Sequence, residues 1–243
     1  MKWLSYPVRL LQCLIDVLFP MKCLSCGRPI PNIRDCICED CLSRIGGLKE
    51  GCHVCSGEIR EGRCTVCEER HWYPARNLCL SEYDGIMKKM LHHYKFARRS
   101  RLARPLGDLA LEALRRERWD FDLITYVPAN RSKKWRRGYN QTELIARILS
   151  ARTGKPVKAL LRERFSPLAQ KELNYRQRFL HILNKYKAAG RRLAGQKVLL
   201  VDDVFTTGAT VNECARVLLS RGASEIFSLT MARAGIKRLE NLE

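Results

Sequence analysis

The chain has 243 residues, room for one large domain plus a smaller one, and 46% of them are hydrophobic, so a buried core is within reach and general disorder is excluded. Its 45 Lys and Arg against 25 Asp and Glu give a formal charge of +20, a field that favours polyanions such as phosphorylated metabolites or nucleic acid. The excess is uneven: residues 1–79 hold 11 basic and 9 acidic side chains, leaving 34 and 16 for the remainder, part of which a solvated basic surface would account for.

The opening residues 3–20 are apolar but carry Pro7, Arg9 and Asp16, and no small-residue cleavage site follows. They are short and charged for a membrane span. Leu4, Val8, Leu11, Ile15 and Leu18 recur at helical spacing, which predicts an amphipathic helix docked on the body. An interfacial membrane helix is the alternative, against which its weakly basic polar face counts. The expectation is a cytoplasmic protein with reduced cysteines and no transmembrane segment.

Eight of the twelve cysteines form four C-x-x-C pairs: Cys23 and Cys26, Cys38 and Cys41, Cys52 and Cys55, Cys64 and Cys67. Two thiolates three positions apart on a tight turn converge on one ion, and two such turns complete a tetrahedron. Sequential pairing gives two small zinc ribbons in series; a crossed pairing of first with third satisfies the same spacing, and Cys36 is an alternative ligand in its C-I-C run. Redox or disulfide chemistry is the competing reading. Four thiolates leave no open position, so one or two structural zinc ions are expected. Cys79 and Cys214 read as small buried hydrophobes.

Beyond residue 79 the texture changes to alternating elements, predicting an N-terminal module over 1–79 and a second domain over 80–243. Strands are expected near 77–83, 121–128, 157–161, 197–204 and 226–231. Helices are expected over 85–93, 102–118, 140–152 and 208–220. Alternation of this kind implies an α/β domain with a mostly parallel sheet flanked by helices. Residues 162–192 are basic and irregular.

Within the fourth strand and its exit, residues 198–210 read VLLVDDVFTTGAT. Ligands of open α/β sheets bind beyond the carboxyl ends of strands. A buried strand ending in Asp202 and Asp203 delivers two carboxylates to that rim, where they can accept hydrogen bonds from a sugar's vicinal hydroxyls. The following Thr206, Thr207, Gly208, Ala209 and Thr210 enter a helix whose first N–H groups lack intrahelical partners, a cradle for phosphate.

This segment closely resembles the phosphoribosyl pyrophosphate (PRPP) signature of type I phosphoribosyltransferases. With the cysteine module, Tyr94-Lys95-Phe96 and Arg137-Gly138-Tyr139-Asn140-Gln141, residues 15–234 resemble the ComF (ComFC/GntX) competence family. Departures are Val127-Pro128-Ala129-Asn130 where that family often has P-V-P-L-H, and altered positions at Pro167 and His181. The resemblance implies PRPP held with magnesium, pyrophosphate facing residues 127–131 (Ala129, Asn130 and Arg131 among them), and a lid over 162–184. Lys95 and Arg137 are further candidates for neutralising phosphate charge, and Arg137 with Asp202 and Asp203 would serve any catalysis. No acceptor pocket is recognisable. Two functions of different class therefore stand. One is a magnesium-dependent phosphoribosyltransferase. The other is a single-stranded DNA-binding competence protein, working with competence and helicase machinery, whose PRPP site is a ligand or regulatory site. Trp135 and Tyr139 among Arg131, Lys133, Lys134, Arg136 and Arg137, and Tyr94 and Phe96 within the basic stretch 88–104, fit base stacking between phosphate-binding cations.

Overall fold

A computed structural model describes residues 21–30, 36–48, 51–52, 56–57, 59–64, 67–68, 71–130, 135, 137–164, 184–190 and 192–234. The expected N-terminal helix and most of the expected lid lie outside these residues.

The N-terminal module is built from short pieces. An antiparallel ribbon of β1 (Met21–Lys22) and β2 (Pro29–Ile30) precedes α1 (Glu39–Ser43). A second ribbon pairs β3 (Ile59–Arg60) with β4 (Arg63–Cys64). Pieces of two to five residues bury too little to hold themselves together, so another source of stability is needed.

The second part opens with β5 (Arg76–Cys79), then α2 (Gly85–Phe96), a 3-10 turn Ser100–Leu102, and α3 (Ala103–Glu117). There follow β6 (Leu123–Tyr126), α4 (Gln141–Thr153), β7 (Leu161–Glu163), β8 (Tyr186–Ala188), β9 (Lys197–Phe205), α5 (Ala209–Leu219) and β10 (Glu225–Arg233). The main sheet has the order β5-β10-β9-β6, and every pairing in it is parallel. Strands buried on both faces read as continuous apolar runs, as Val198, Leu199, Leu200 and Val201 do, all fully buried. On one side Leu199 and Val201 join Met90, Leu106, Ile145 and Leu149 from α2, α3 and α4. On the other, Val198 and Leu200 join Val211, Cys214, Ala215 and Leu218 from α5.

Arg76 pairs with Phe227 of β10, so the first strand of the sheet begins one residue before the expected 77 and ends at Cys79, short of the expected 83. The strand expected over 157–161 is only a bridge from Val157 to Ile124; the chain forms its strand at β7 instead, antiparallel to β8. The pairing of β7 and β8 gives two regular strands to a stretch whose composition shows no period.

Candidate functional site

Register between neighbouring strands sets the site. Tyr126 lies opposite Val201, and Val127 N donates to Val201 O (3.0 Å), so residues 127–130 leave the sheet beside the two aspartates. Asp202 is buried and accepts a hydrogen bond from Asp203 N (2.8 Å). Burial, reinforced by the charge of Asp203, pushes the Asp202 carboxyl up to about 7, against the pull of that N–H and of Lys95. Asp203 pairs with Lys95 Nζ (2.8 Å), carried by the last turn of α2. The candidate residues Lys95 and Asp203, distant in sequence, are thus joined.

Past Asp203 the chain turns through Thr206, exposed, and Thr207, partly buried, to Gly208 at φ +69°, a left-handed conformation that glycine adopts without a Cβ penalty. Ala209 N donates to Thr207 Oγ1 (3.3 Å), and Asn212 N makes the first helical bond, to Gly208 O (2.8 Å). Thr210 sits in the first turn of α5. The N–H groups of such a turn face an incoming anion.

The loop 127–130 is latched from behind. Asn140 Nδ2 (3.2 Å) and Thr142 Oγ1 (2.7 Å) both donate to Val127 O. The Tyr94 hydroxyl donates to Gln141 O (2.8 Å), and the Tyr139 hydroxyl donates to Tyr94 O. The R-G-Y-N-Q segment therefore ties α2, and with it Lys95, to the start of α4 and to the 127–130 loop. This corrects one expectation: Tyr94 is wholly buried and Tyr139 partly so, with their rings 5.5 Å apart, and both act as scaffold instead of stacking bases. Among the described residues the exposed large aromatics are Phe96 (60%) and Trp135 (89%). Arg137 stands over the Phe96 ring at 5.4 Å, beside the residue that bears the Asp203 contact. Ala129 is partly buried and Asn130 is exposed with Nδ2 3.5 Å from Glu163; Arg131 lies outside the described residues.

The cysteines gather into two groups. Cys23, Cys26, Cys38 and Cys41 place their sulfurs within 4.8 Å of one another, as do Cys52, Cys64 and Cys67, while Cys55 lies outside the described residues. Pairing is sequential, and Cys38, not Cys36, completes the first group. Sulfurs about 2.3 Å from a tetrahedral zinc stand about 3.8 Å apart; Cys26 and Cys38 are separated by 3.7 Å, Cys52 and Cys67 by 3.9 Å. Burial opposes ionisation of Cys23, yet N–H groups of Cys26, Cys38 and Ser25 bring it down to about 6, whereas burial and neighbouring thiols push Cys41 up to about 12. Four sulfurs at this spacing would ionise together only with a cation between them, so the donor set fits a structural zinc. Such an ion would supply cross-linking and leave no position open for catalysis.

Comparison with known proteins gives this architecture relatives. A phosphoribosyl transferase domain is matched over residues 143–243. Competence protein F of Haemophilus influenzae is 26% identical over 228 residues, covering 89% of this chain and 98% of that one. DNA utilization protein YhgH of Escherichia coli is 30% identical over 216 residues, covering 85% of this chain and 94% of that one. The chain belongs to the ComF family. Its fold is that of a phosphoribosyltransferase, a parallel four-stranded sheet with helices. Among solved structures, glutamine PRPP amidotransferase from B. subtilis, complexed with ADP and GMP, is similar at 18% identity and a TM-score of 0.41, the match covering 57% of this chain and 30% of that one. Among the described residues of this ComF protein no helix is long and apolar enough to cross a membrane.

Two residues of the ComF rim escaped reading from sequence. Thr142 is an ordinary first-turn residue until its hydroxyl is seen on Val127 O. Asn212, buried in α5, uses its side chain to hold residues 71–73. A poor helix former in the first turn of a helix that is mostly apolar or small is the signal that could have flagged it.

Proposed function

We propose that this protein binds PRPP or a related phosphosugar, with magnesium, at the carboxyl end of β9, and that it serves DNA uptake in the cytoplasm. One observation carries the reading: the paired aspartates, the Thr206–Gly208 turn and the 127–130 loop meet on a single rim, although the loop lies more than 70 residues from the others in sequence. The turn and the first N–H groups of α5 receive the sugar's phosphate, and Asp202 and Asp203 accept hydrogen bonds from its hydroxyls. Lys95, already on Asp203, and Arg137 nearby place positive charge before any develops on a departing pyrophosphate. Magnesium, when bound with the ligand, would neutralise pyrophosphate charge. The printed names of the relatives, competence and DNA utilization, support the biological setting and competence machinery as the partner.

Calorimetry with PRPP and Mg²⁺ tests the site. Replacing both aspartates by asparagine removes two charge-assisted contacts and is expected to weaken binding about 100-fold or more; equal affinity in that double variant would refute the ribose assignment. Pyrophosphate release screened across bases, amines and single-stranded DNA separates phosphoribosyl transfer from binding alone.

A second reading, direct binding of single-stranded DNA, is favoured by Trp135 and Phe96, exposed in a strongly basic domain. Affinity should then fall steeply with salt, and Trp135→Ala should cost about 1–3 kcal/mol of binding. Salt-independent retention on DNA contradicts it.

A further inference from the structure

Among the described residues the second cysteine cluster packs on the phosphate turn and the first does not. Cys52 and Cys79 share a small apolar cluster with Phe205, against which Cys64, Cys67 and Trp72 pack. Phe205 is the last residue of β9 and is buried, two positions past Asp203. Its ring meets Trp72 edge-on, with centroids 5.9 Å apart. Both rings close on Gly208: a β-carbon placed there would lie 2.6 Å from Phe205 Cζ and 2.9 Å from Trp72 Cζ3. The backbone of the phosphate turn is therefore walled by two aromatic rings whose neighbours include the cysteines of the second group, and Trp72 packs as well against the core under α5.

The chain leaving this cluster is also clamped to the cradle helix. Asn212 Oδ1 accepts from Tyr73 N (2.7 Å), and Asn212 Nδ2 donates to His71 O (2.8 Å), which fixes the backbone on both sides of Trp72. On the opposite flank Arg233 Nη1 donates to Ser56 O (2.7 Å), Ser56 Oγ donates to Asn77 O (2.6 Å), and Ala234 N donates to Phe205 O (2.8 Å). The second cluster is thus attached to β5, β9 and β10 at the end of the sheet where Asp202 and Asp203 stand.

We infer that metal bound by Cys52, Cys64 and Cys67 positions the phosphate turn through Phe205 and Trp72, so that phosphosugar binding depends on occupancy of the second cluster. This rests on the phosphosugar reading of the turn. The physical chain is short. A module of two-residue strands holds its shape through its metal. Without it the sulfurs need not stay together, Phe205 and Trp72 lose the part of their backing that the cysteines supply, and Gly208 is less tightly confined. A displacement of about 1 Å in a positioning element is enough to cost about 100-fold.

The test uses the full-length protein and two ligands with Mg²⁺, ribose 5-phosphate for the turn and inorganic pyrophosphate for the 127–130 side. In Cys67→Ser and in Trp72→Ala, affinity for ribose 5-phosphate is expected to fall tenfold or more while that for pyrophosphate changes less than threefold. Trp72→Phe keeps an aromatic ring at this position while giving up the indole N–H, which has no hydrogen-bond partner among the described residues, and part of the ring that reaches Gly208, so it should restore part of the affinity lost in Trp72→Ala. Equal loss of both ligands, or full ribose 5-phosphate affinity in Cys67→Ser shown to lack one zinc, overturns the inference. Wild-type protein that binds neither ligand overturns the phosphosugar reading itself, and the inference with it.

Discussion

The two cysteine clusters share a ligand chemistry and differ in what surrounds them. Cys23 and Cys41 of the first belong to the main core, together with Ile37, Leu106 and Leu111. Across from α1 and its flanks, a groove of about 630 Å³ lined by Ile37, Leu42, Pro105 and Leu109 runs along α3, and no residue of the phosphate turn borders it. The second cluster has Phe205 and Trp72 as neighbours and the turn directly behind them. Ligand spacing and sulfur geometry fit a metal in both places. The neighbours decide what such a metal would support: the body of the domain in one case, the proposed ligand rim in the other.

Metal removal should have the largest effect. Freshly purified protein is expected to carry two zinc ions, and stripping them with a strong chelator should melt the N-terminal module, since structural zinc contributes on the order of 10 kcal/mol in small zinc-dependent domains. Cys26→Ser and Cys67→Ser should each lose one zinc by metal analysis; loss of both ions from either single variant would break the picture of two separate sites.

Core truncation comes next and sharpens the contrast. Phe205→Ala and Ile37→Ala each empty a buried position, at 1% and 3% exposure, and should cost about 2–5 kcal/mol in denaturant unfolding. Affinity for ribose 5-phosphate should fall in the Phe205 variant and hold in the Ile37 variant. Equal falls would mean that the clusters do not differ in function.

The smallest effect concerns the rim alone. Asp202 has its carboxyl raised to about 7, so the native state holds that proton more tightly than the unfolded chain does. The group's contribution to stability is therefore present at acid pH and is lost as pH rises from the ordinary carboxylate range through about 7. Asp202→Asn removes that penalty. The variant should be more stable than wild type at pH 8, by about 1–4 kcal/mol, and no more stable near pH 4. Thermal melts at the two pH values, without phosphosugar, check the sign.

Much of the site was legible because its signals are local. VLLVDD announces a doubly covered strand with polar residues at its exit, and TTGAT announces a helix entry with a left-handed glycine. The alternation of apolar periods placed α2, α3, α4, α5, β6, β9 and β10 within a few residues of where they lie. Tyr94 and Tyr139 sit in basic stretches that give no local sign of burial; only the carbonyls of Gln141 and Tyr94, brought close by helix packing, show why these hydroxyls can be buried.

The sequence by itself determined the order of the main-sheet strands and of the helices α2 to α5, the two carboxylates at a strand end, and the thiolate pairs, since each depends on periodicity or spacing over a few residues. Tertiary structure alone decided that the cysteine pairs join sequentially, that Lys95 meets Asp203, and that Asn212, Trp72 and Phe205 link the second cluster to Gly208. Those are contacts between residues far apart in the chain, set by how faces pack and strands register, and no local pattern encodes them.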